Sequence, residues 1–302
     1  MKHVTRIHSG QPKPFAEVLA FMTGLSTDEV ATLIRMGGAY LGKRRCKNAD
    51  QSIRAGDRVS AYFRLPLVMN PIPFNARWVI EDRPHVLVAC KPAGIPTQGR
   101  RDADYLAFYE ILKANLRGYL GLHHRLDQET SGLMVFTRNR TYNKSMGQLF
   151  QEQRIEKTYL AVGTGEWPFP SRTVTIDQPI ATRRQNKRTR HEVGRDGKQA
   201  QTHLSLVAHS EGLVMVRAKP KTGRTHQIRI HMAHSGMPLW GDTHYEGPSR
   251  PENAFFLHCQ TLSWPAHENL PAGNFTALPP ETWWSHLPQG WRAEILGEEP
   301  SC

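Results

Sequence analysis

The stretch His124–Leu133 reads HRLDQETSGL and is the part of the chain richest in functional groups. It is polar and turn-prone, and it runs directly into the apolar residues 134–136, which are typical of a buried strand. Asp127 is therefore expected near the mouth of a strand, beside Arg125. Loops held by a rigid scaffold often carry binding and catalytic side chains. Taken alone, however, Asp127 is more simply interpreted as a structural carboxylate, paired with an arginine or capping a helix.

Length and charge set the broad class of the protein. The chain has 302 residues, enough for about two domains, and 39 Lys and Arg against 27 Asp and Glu give a formal net charge of +12. Such an excess predicts a polyanionic partner. The apolar runs are too short to cross a bilayer, and the N-terminal residues lack the apolar core of a signal peptide. We therefore expect a cytoplasmic protein that does not bind membranes.

The cysteine and histidine patterns argue against a metal centre. The cysteines form no C-x-x-C pair, as is usual in a reducing compartment. His226, His231 and His234 lack the spacing of a helical zinc motif, and no carboxylate or thiolate completes a ligand set. We expect no metal and no organic cofactor.

Composition predicts two domains joined by a linker. Prolines punctuate a short stretch, and regular strand and helix patterns stand on both sides of it. Near the N-terminus, Ser26 and Glu29 have the S-x-x-E spacing of a capping box, which predicts the start of a helix. The predicted segments are a small α/β domain at 1–65, a linker at 66–76, a large domain at 77–290 and a tail at 291–302.

The larger domain is predicted to be of the α+β class. Strand-like runs outnumber helical patterns and do not alternate with them, which disfavours a doubly wound parallel sheet. We expect a mixed, largely antiparallel central sheet flanked by helices. The predicted strands are His85–Cys90, Leu133–Thr137, Thr158–Val162, Thr202–Val207, Val214–Ala218 and Phe255–Leu262, and the predicted helices are Asp104–Leu116, Tyr142–Gln153 and Thr225–His234.

Two clusters of basic residues favour a nucleic acid as the polyanionic partner. A solvated basic face is the ordinary alternative for either cluster alone. The cluster in the small domain includes Lys43, Arg44, Arg45 and Lys47, which are predicted to contact the phosphates of RNA or DNA. The second cluster comprises Arg183, Arg184, Lys187, Arg188, Arg190, Arg195 and Lys198.

HRLDQETSGL closely resembles the H-R-L-D-x-x-T-S-G-L signature of the RluA-type RNA pseudouridine synthases. Further segments resemble family motifs in the same order along the chain, and together they cover residues 78–265. The small domain resembles, more loosely, the alpha-L RNA-binding domain that often precedes these catalytic domains. The matching segments are VACKPAGI at 88–95, KTYLA at 157–161, GRTHQIRIH at 223–231, GMP at 236–238, Gly241-Asp242 through Tyr245, and Leu257-His258.

The resemblance implies a reaction and the residues that perform it. Pseudouridine formation breaks the C1′–N1 bond of a uridine, turns the base and rejoins it through C5. Asp127 matches the essential aspartate, and whether it attacks C1′ or removes a ribose proton stays open. Tyr159 matches the candidate base for the C5 proton, and Arg229 matches the basic partner of the aspartate. Glu129, the neighbouring carboxylate, is interpreted as structural.

Other matching positions concern substrate binding. A base inside structured RNA has to be extruded before an enzyme can act on it. By resemblance, Arg125 helps to fill or hold the flipped site, and Ile228 forms an apolar wall of the pocket. Arg224 and His226 are expected to contact the RNA backbone.

The sequence thus predicts an RNA uridine isomerase that acts as a monomer without an obligate protein partner. Large-subunit ribosomal RNA is the favoured substrate because of the alpha-L-like domain, and transfer RNA is the alternative. A non-catalytic RNA-binding or ribosome-assembly factor is disfavoured by the intact set of Asp127, Tyr159 and Arg229. A metal-dependent nuclease or deaminase is disfavoured by the missing ligand set.

Overall fold

A computed structural model describes residues 2–63, 72–99, 107–185, 188–249 and 255–296, and the chain forms two compact units. The first unit comprises residues 1–76 and 95–118, and the second comprises 77–94 and 119–302. This division differs from the predicted domains because 95–118 groups with the N-terminal residues. Residues 66–71 of the predicted linker, 104–106 of a predicted helix and Lys187 lie outside the described residues.

The first unit has one hydrophobic core shared by two helices and a four-stranded antiparallel sheet. Leu19, Leu33 and Phe63 are buried in this core. The predicted capping box is confirmed, since the Ser26 hydroxyl accepts from the Glu29 N–H and the Glu29 carboxylate accepts from the Ser26 N–H. The elements are β1 (Lys2–Ile7), β2 (Lys13–Pro14), α1 (Phe15–Thr23), α2 (Thr27–Arg35), β3 (Ala39–Leu41), β4 (Arg44–Arg45), β5 (Ser52–Ile53), β6 (Arg58–Phe63) and α3 (Phe108–Asn115).

The second unit is built around a ten-stranded mixed sheet, as the α+β prediction requires. Its order is β12-β15-β16-β11-β17-β10-β8-β7, with β18 beside β17 and β9 beside β10. The pair β10 and β17 is parallel, and the other pairs in this sheet are antiparallel. A separate hairpin pairs β13 with β14. The elements are β7 (Val79–Asp82), β8 (Val86–Lys91), β9 (Gly121–Leu122), β10 (Ser131–Thr137), α4 (Asn143–Gln151), β11 (Glu156–Thr164), β12 (Thr173–Asp177), β13 (Ile180–Gln185), β14 (Arg188–Val193), β15 (Gln201–Ser210), β16 (Leu213–Pro220), α5 (Gln227–His234), β17 (Leu257–Trp264), β18 (Gly273–Thr276) and α6 (Trp291–Leu296).

The predicted strands and helices of the larger domain are confirmed, although their ends differ by a few residues. Among the described elements of this unit, the strands β7, β9, β12, β13, β14 and β18 and the helix α6 were not predicted. The hairpin β13–β14 is rich in Arg and Thr, so it has no apolar alternation to indicate strands. The segment predicted as a tail begins with α6, whose Trp291 and Ile295 are buried in a core cluster with Leu160 and Met215.

Gly132 allows β10 and β17 to approach each other at the end of the HRLDQETSGL stretch. Its φ is +114°, and a Cβ at this position would lie 2.4 Å from both the backbone N and the backbone O of Cys259. The clash is with backbone, so a side chain here would force the two strands apart. The glycine of the signature thus has a structural reason that is independent of chemistry.

We predict that Gly132→Ala lowers the free energy of unfolding by about 2–5 kcal/mol, because it combines backbone strain with overpacking. Gly147→Ala is the matched control. Gly147 lies inside helix α4, where an added Cβ meets nothing within 4 Å, so this change should stabilise the protein by up to about 1 kcal/mol. Urea unfolding of both variants checks the pair. Equal stability of the two variants would contradict this account of Gly132.

Candidate active site

Asp127 lies in a tightly held loop just before β10. The Thr130 N–H donates to the Asp127 carbonyl oxygen at 3.2 Å, which closes a turn. The Gln128 carbonyl oxygen accepts from the Gly94 N–H at 2.9 Å and from the Lys91 Nζ at 3.0 Å. The backbone around Asp127 is therefore fixed by residues on both sides, while its side chain keeps 30% of its surface exposed.

Lys91 is a buried amine beside this loop. Its ammonium also donates to the Pro92 carbonyl oxygen at 2.8 Å, and the residue is completely buried. Burial lowers the pKa of Lys91 to about 7, against the opposing effect of the Glu129 and Asp127 charges. No role was predicted for Lys91, although it lies in the matching segment at 88–95. Its contacts show that it fastens the chain next to Asp127.

The structure brings Arg229 to Asp127, as the resemblance implied. Arg229 lies on helix α5 with only 8% of its side chain exposed, and its Nη1 donates to the Asp127 Oδ2 at 3.2 Å. Burial by itself lowers the pKa of Arg229, but the hydrogen bonds and charge of Asp242, together with the charge of Asp127, raise it overall. Arg229 is therefore a permanent cation beside the candidate catalytic carboxylate.

Asp242 and two aromatic rings complete the surroundings of Arg229. The guanidinium donates through Nε and Nη2 to the two oxygens of Asp242, at 2.6 and 2.8 Å. Tyr245 and Phe255 place their ring centroids 4.9 and 4.6 Å from the guanidinium carbon. Sequence reasoning gave none of these residues a role. Asp242 and Tyr245 do lie in the matching segment 241–245, which was the available signal.

His226 lies between Asp127 and Tyr245 and contacts both. Its Nε2 is 3.8 Å from the Asp127 Oδ2, and its Nδ1 is 2.8 Å from the Tyr245 hydroxyl. Burial lowers the pKa of His226 to about 4, although the Asp127 charge acts in the opposite direction. The imidazole is neutral at pH 7, so it forms no ion pair with Asp127. Its φ of +57° is rare for a residue with a side chain, and such strain is concentrated at functional sites.

Tyr159 is buried on β11, at a point where the pairing with β17 shifts register. Burial raises the pKa of Tyr159 well above 10, and the neighbouring Cys259 and Asp127 act in the same direction. The phenol is therefore protonated at neutral pH. It can take the C5 proton only if its own proton leaves at the same time.

The other predicted substrate-binding residues differ in exposure. Arg125 is exposed and Ile228 is buried. Arg224 is exposed, and its Nε donates to the Gln199 carbonyl oxygen at 2.9 Å. Gln227 was not predicted but is nearly fully buried, and its Oε1 accepts from the Arg224 N–H at 3.1 Å. It therefore fixes the turn that leads into α5.

The four basic residues predicted to bind RNA lie around the turn between β3 and β4 of the first unit. Lys43, Arg44 and Lys47 are exposed. Arg45 is half-buried, since its Nε donates to the Tyr40 hydroxyl at 2.7 Å and its guanidinium carbon is 5.5 Å from the Tyr40 ring centroid. Three exposed cations therefore remain available to solvent at this turn.

Arg183 and Arg184 of the second basic cluster lie on opposite faces of the β13–β14 hairpin. Arg183 pairs with both oxygens of Asp196 and with Glu192 at 3.2 Å, so its charge is compensated. Arg184 is exposed on the other face and has no ion pair with a described residue. That face also carries His191, whose ring centroid is 5.8 Å from that of His226.

The described ranges contain no group of three or more His, Cys, Asp or Glu arranged to hold a metal ion. Among the helices described, none is long and apolar enough to cross a membrane.

Comparisons with known proteins agree with this fold. A model of the RNA pseudouridylate synthase family matches residues 85–234. The chain is 33% identical over 219 residues to the RNA pseudouridine synthase YhcT of Bacillus subtilis, covering 70% of this chain and 71% of that protein. It is 28% identical over 271 residues to the ribosomal large subunit pseudouridine synthase C of Vibrio vulnificus, covering 80% and 83%. The solved structure of human RNA pseudouridylate synthase domain containing 4 matches with a TM-score of 0.56 and 23% identity, covering 69% of this chain and 90% of that one.

The fold and the sequence matches define an isomerase of RNA. The chain belongs to the RluA-type RNA pseudouridine synthase family. It is an RNA pseudouridine synthase rather than a nuclease, a deaminase or a non-catalytic RNA-binding factor, which confirms the activity expected from the motifs.

We predict that Arg184→Ala reduces the slope of log affinity against log salt for RNA by about 0.7–0.9, the effect of one lost phosphate contact. Arg183→Ala is the matched control on the adjacent residue, and it should leave the slope unchanged because Asp196 and Glu192 already compensate its charge. RNA affinity measured at several KCl concentrations checks both variants. An equal change of slope in the two would contradict the division of the hairpin into two faces.

Proposed function

We propose that Asp127 is the essential catalytic group of this pseudouridine synthase and that its substrate is a uridine in large-subunit ribosomal RNA. One observation carries the first part. The Arg229 and His226 contacts of the Asp127 carboxylate both fall on Oδ2, and Oδ1 has no hydrogen-bond partner within the described part of the chain. An acceptor oxygen without a hydrogen-bond partner on a held, partly exposed carboxylate is what a nucleophile or base needs.

One carboxylate is enough for this reaction. Glycosidases use two because they release a leaving group to water. Here the base stays in the site and returns through C5, so no second carboxylate is needed to activate water. Both open routes, attack at C1′ and removal of a ribose proton, use the same oxygen of Asp127. Arg229 donates a hydrogen bond to the carboxylate and so fixes its direction.

The residues around Asp127 suit an extruded uridine. The flipped base is expected to lie against buried Ile228, while exposed Arg125 occupies or holds the position that the base leaves. Tyr159 is the candidate acceptor of the C5 proton. Arg224 is proposed to contact RNA phosphates, and the exposure of its side chain at the turn before α5 supports this role.

Two observations support ribosomal RNA as the substrate. The relatives from Vibrio vulnificus and Yersinia pestis carry names that refer to the ribosomal large subunit, at 28% and 34% identity. The first unit also presents the exposed cations Lys43, Arg44 and Lys47, which are proposed to contact phosphates of a large structured RNA.

We predict that Asp127→Asn abolishes turnover, because it keeps the shape of the side chain and removes its charge. Tritium release from C5-labelled uridine in RNA measures the reaction. Asp82→Asn is the matched control, since Asp82 also pairs with a largely buried arginine, Arg138, at 2.9 Å, but lies on β7. It should leave the rate unchanged.

The same variants test the substrate in cells. Pseudouridines are mapped in total RNA from cells that lack the gene and carry wild-type or Asp127→Asn protein. We expect a large-subunit ribosomal site that only the wild type restores. A pseudouridine restored in transfer RNA instead would refute ribosomal RNA as the substrate. Restoration of the pseudouridine by Asp127→Asn would refute the role of Asp127.

We predict that Tyr159→Phe lowers the single-turnover rate by about 10²–10⁴-fold, the usual effect of losing a proton acceptor or donor. RNA affinity should stay the same, because the buried ring is retained. Binding and single-turnover assays on the same RNA separate the two effects. A weaker affinity with an unchanged rate would make Tyr159 a binding residue.

A further inference from the structure

Asp242 holds the guanidinium of Arg229 more firmly than Asp127 does. It accepts from Nε and Nη2 at 2.6 and 2.8 Å, whereas Asp127 accepts only from Nη1 at 3.2 Å. Bidentate arginine–carboxylate pairs are the stronger and more directional kind. Asp242 is also 2% exposed, against 30% for Asp127, so solvent weakens its bonds far less. The orientation of the guanidinium is therefore set from the Asp242 side.

The backbone that carries Asp242 is itself fixed. Its N–H donates to the Leu239 carbonyl oxygen at 3.0 Å, and its carbonyl oxygen accepts from the N–H groups of Tyr245 and Gly247 at 3.1 and 2.9 Å. A Cβ on Gly247 would lie 2.0 Å from the Leu239 carbonyl oxygen, so this turn closes only with glycine there. Asp242 thus projects from a rigid turn rather than from a loop that could follow Arg229.

This arrangement limits what Arg229 can do to Asp127. A guanidinium that is not held elsewhere can pair with both oxygens of a carboxylate. Here Asp242 holds Nε and Nη2, and the orientation it imposes turns Nη1 toward Asp127, where Nη1 donates to Oδ2. The Oδ1 oxygen of Asp127 keeps its lone pairs. The three charges also sum to one negative charge, so Asp127 is not fully neutralised by its partner.

We infer that Asp242 is a positioning residue for the isomerisation: it fixes Arg229 so that Asp127 receives a single hydrogen bond and presents Oδ1 to the ribose. This role rests on the proposed catalytic role of Asp127. Asp242 acts through Arg229 and contacts no reacting atom itself.

The test starts with Asp242→Asn, which keeps the shape of the side chain and replaces one acceptor oxygen with an N–H₂ donor. The single-turnover rate should fall on the order of 10²-fold, the usual loss when a reacting group is misplaced. RNA affinity should change by less than about threefold, because Asp242 is buried away from solvent. Asp242→Glu, which retains the charge, should recover part of the rate. A weaker affinity at an unchanged rate would overturn the inference.

A double-mutant cycle shows whether Asp242 acts through Arg229. We expect Asp242→Asn to change the rate by less than about threefold in an Arg229→Met background, since the residue through which it acts is gone. If the rate loss of the double variant equals the product of the losses in the two single variants, the inference is overturned. Melting temperatures distinguish the loss of positioning from a folding defect. Arg229→Met leaves the buried Asp242 charge unpaired, so the double variant should melt higher than Arg229→Met alone.

Asp196→Asn is the matched control, because it breaks the bidentate pair with Arg183 on the hairpin and should leave the rate unchanged. Asp127→Asn keeps the two proposals apart. An active Asp127→Asn enzyme would refute the proposed function itself. If the Asp127→Asn enzyme is inactive while the separate Asp242→Asn enzyme keeps the wild-type rate, only the role of Asp242 is refuted.

Discussion

The Arg229 guanidinium, shared between two carboxylates, is the interaction on which the site depends. One carboxylate, Asp242, is buried and accepts two hydrogen bonds, and the other, Asp127, is partly exposed and accepts one. An arginine this deeply buried is stable only when its charge is compensated. Asp242 supplies most of that compensation, which leaves Asp127 oriented but with an oxygen available for chemistry.

The central sheet explains why the other candidate residues lie near this pair. Cys259 on β17 is the register partner of Gly132 on β10 and of Tyr159 on β11. The strand that follows the Asp127 loop and the strand that carries Tyr159 therefore meet at one position of a third strand. This junction requires the single parallel pairing of the sheet, and Gly132 permits it because any Cβ would collide with the Cys259 backbone. The signature stretch thus contains both a glycine that the sheet requires and the proposed catalytic aspartate.

Uncompensated positive charge is confined to fewer positions than the composition suggests. The net charge of +12 implies a broad attraction to RNA, yet Arg183 is neutralised by Asp196 and Glu192. His226, next to Asp127, is kept neutral by burial. Positive charge that can meet phosphates is left at particular positions, including Arg184 on the hairpin and Lys43 and Arg44 in the first unit. The cations proposed to contact RNA phosphates are thereby separate from the groups that orient the Asp127 carboxylate.

The sequence by itself determined the strands and helices with apolar periodicity, the capping box at Ser26 and Glu29, and the presence of Asp127, Tyr159 and Arg229 in recognisable motifs. These follow from neighbouring residues, so a linear pattern is enough to reveal them. Only the tertiary structure decided which charges are paired. Asp127 and Arg229 are 102 residues apart, and Asp242 took its place beside Arg229 through a turn that no periodicity indicates. The burial of α6 was hidden for the same reason, because its contacts join distant segments. The basic hairpin is local, and it was hidden because its polar residues show no apolar alternation. Burial, which sets charge states as at His226, is a property of the folded chain.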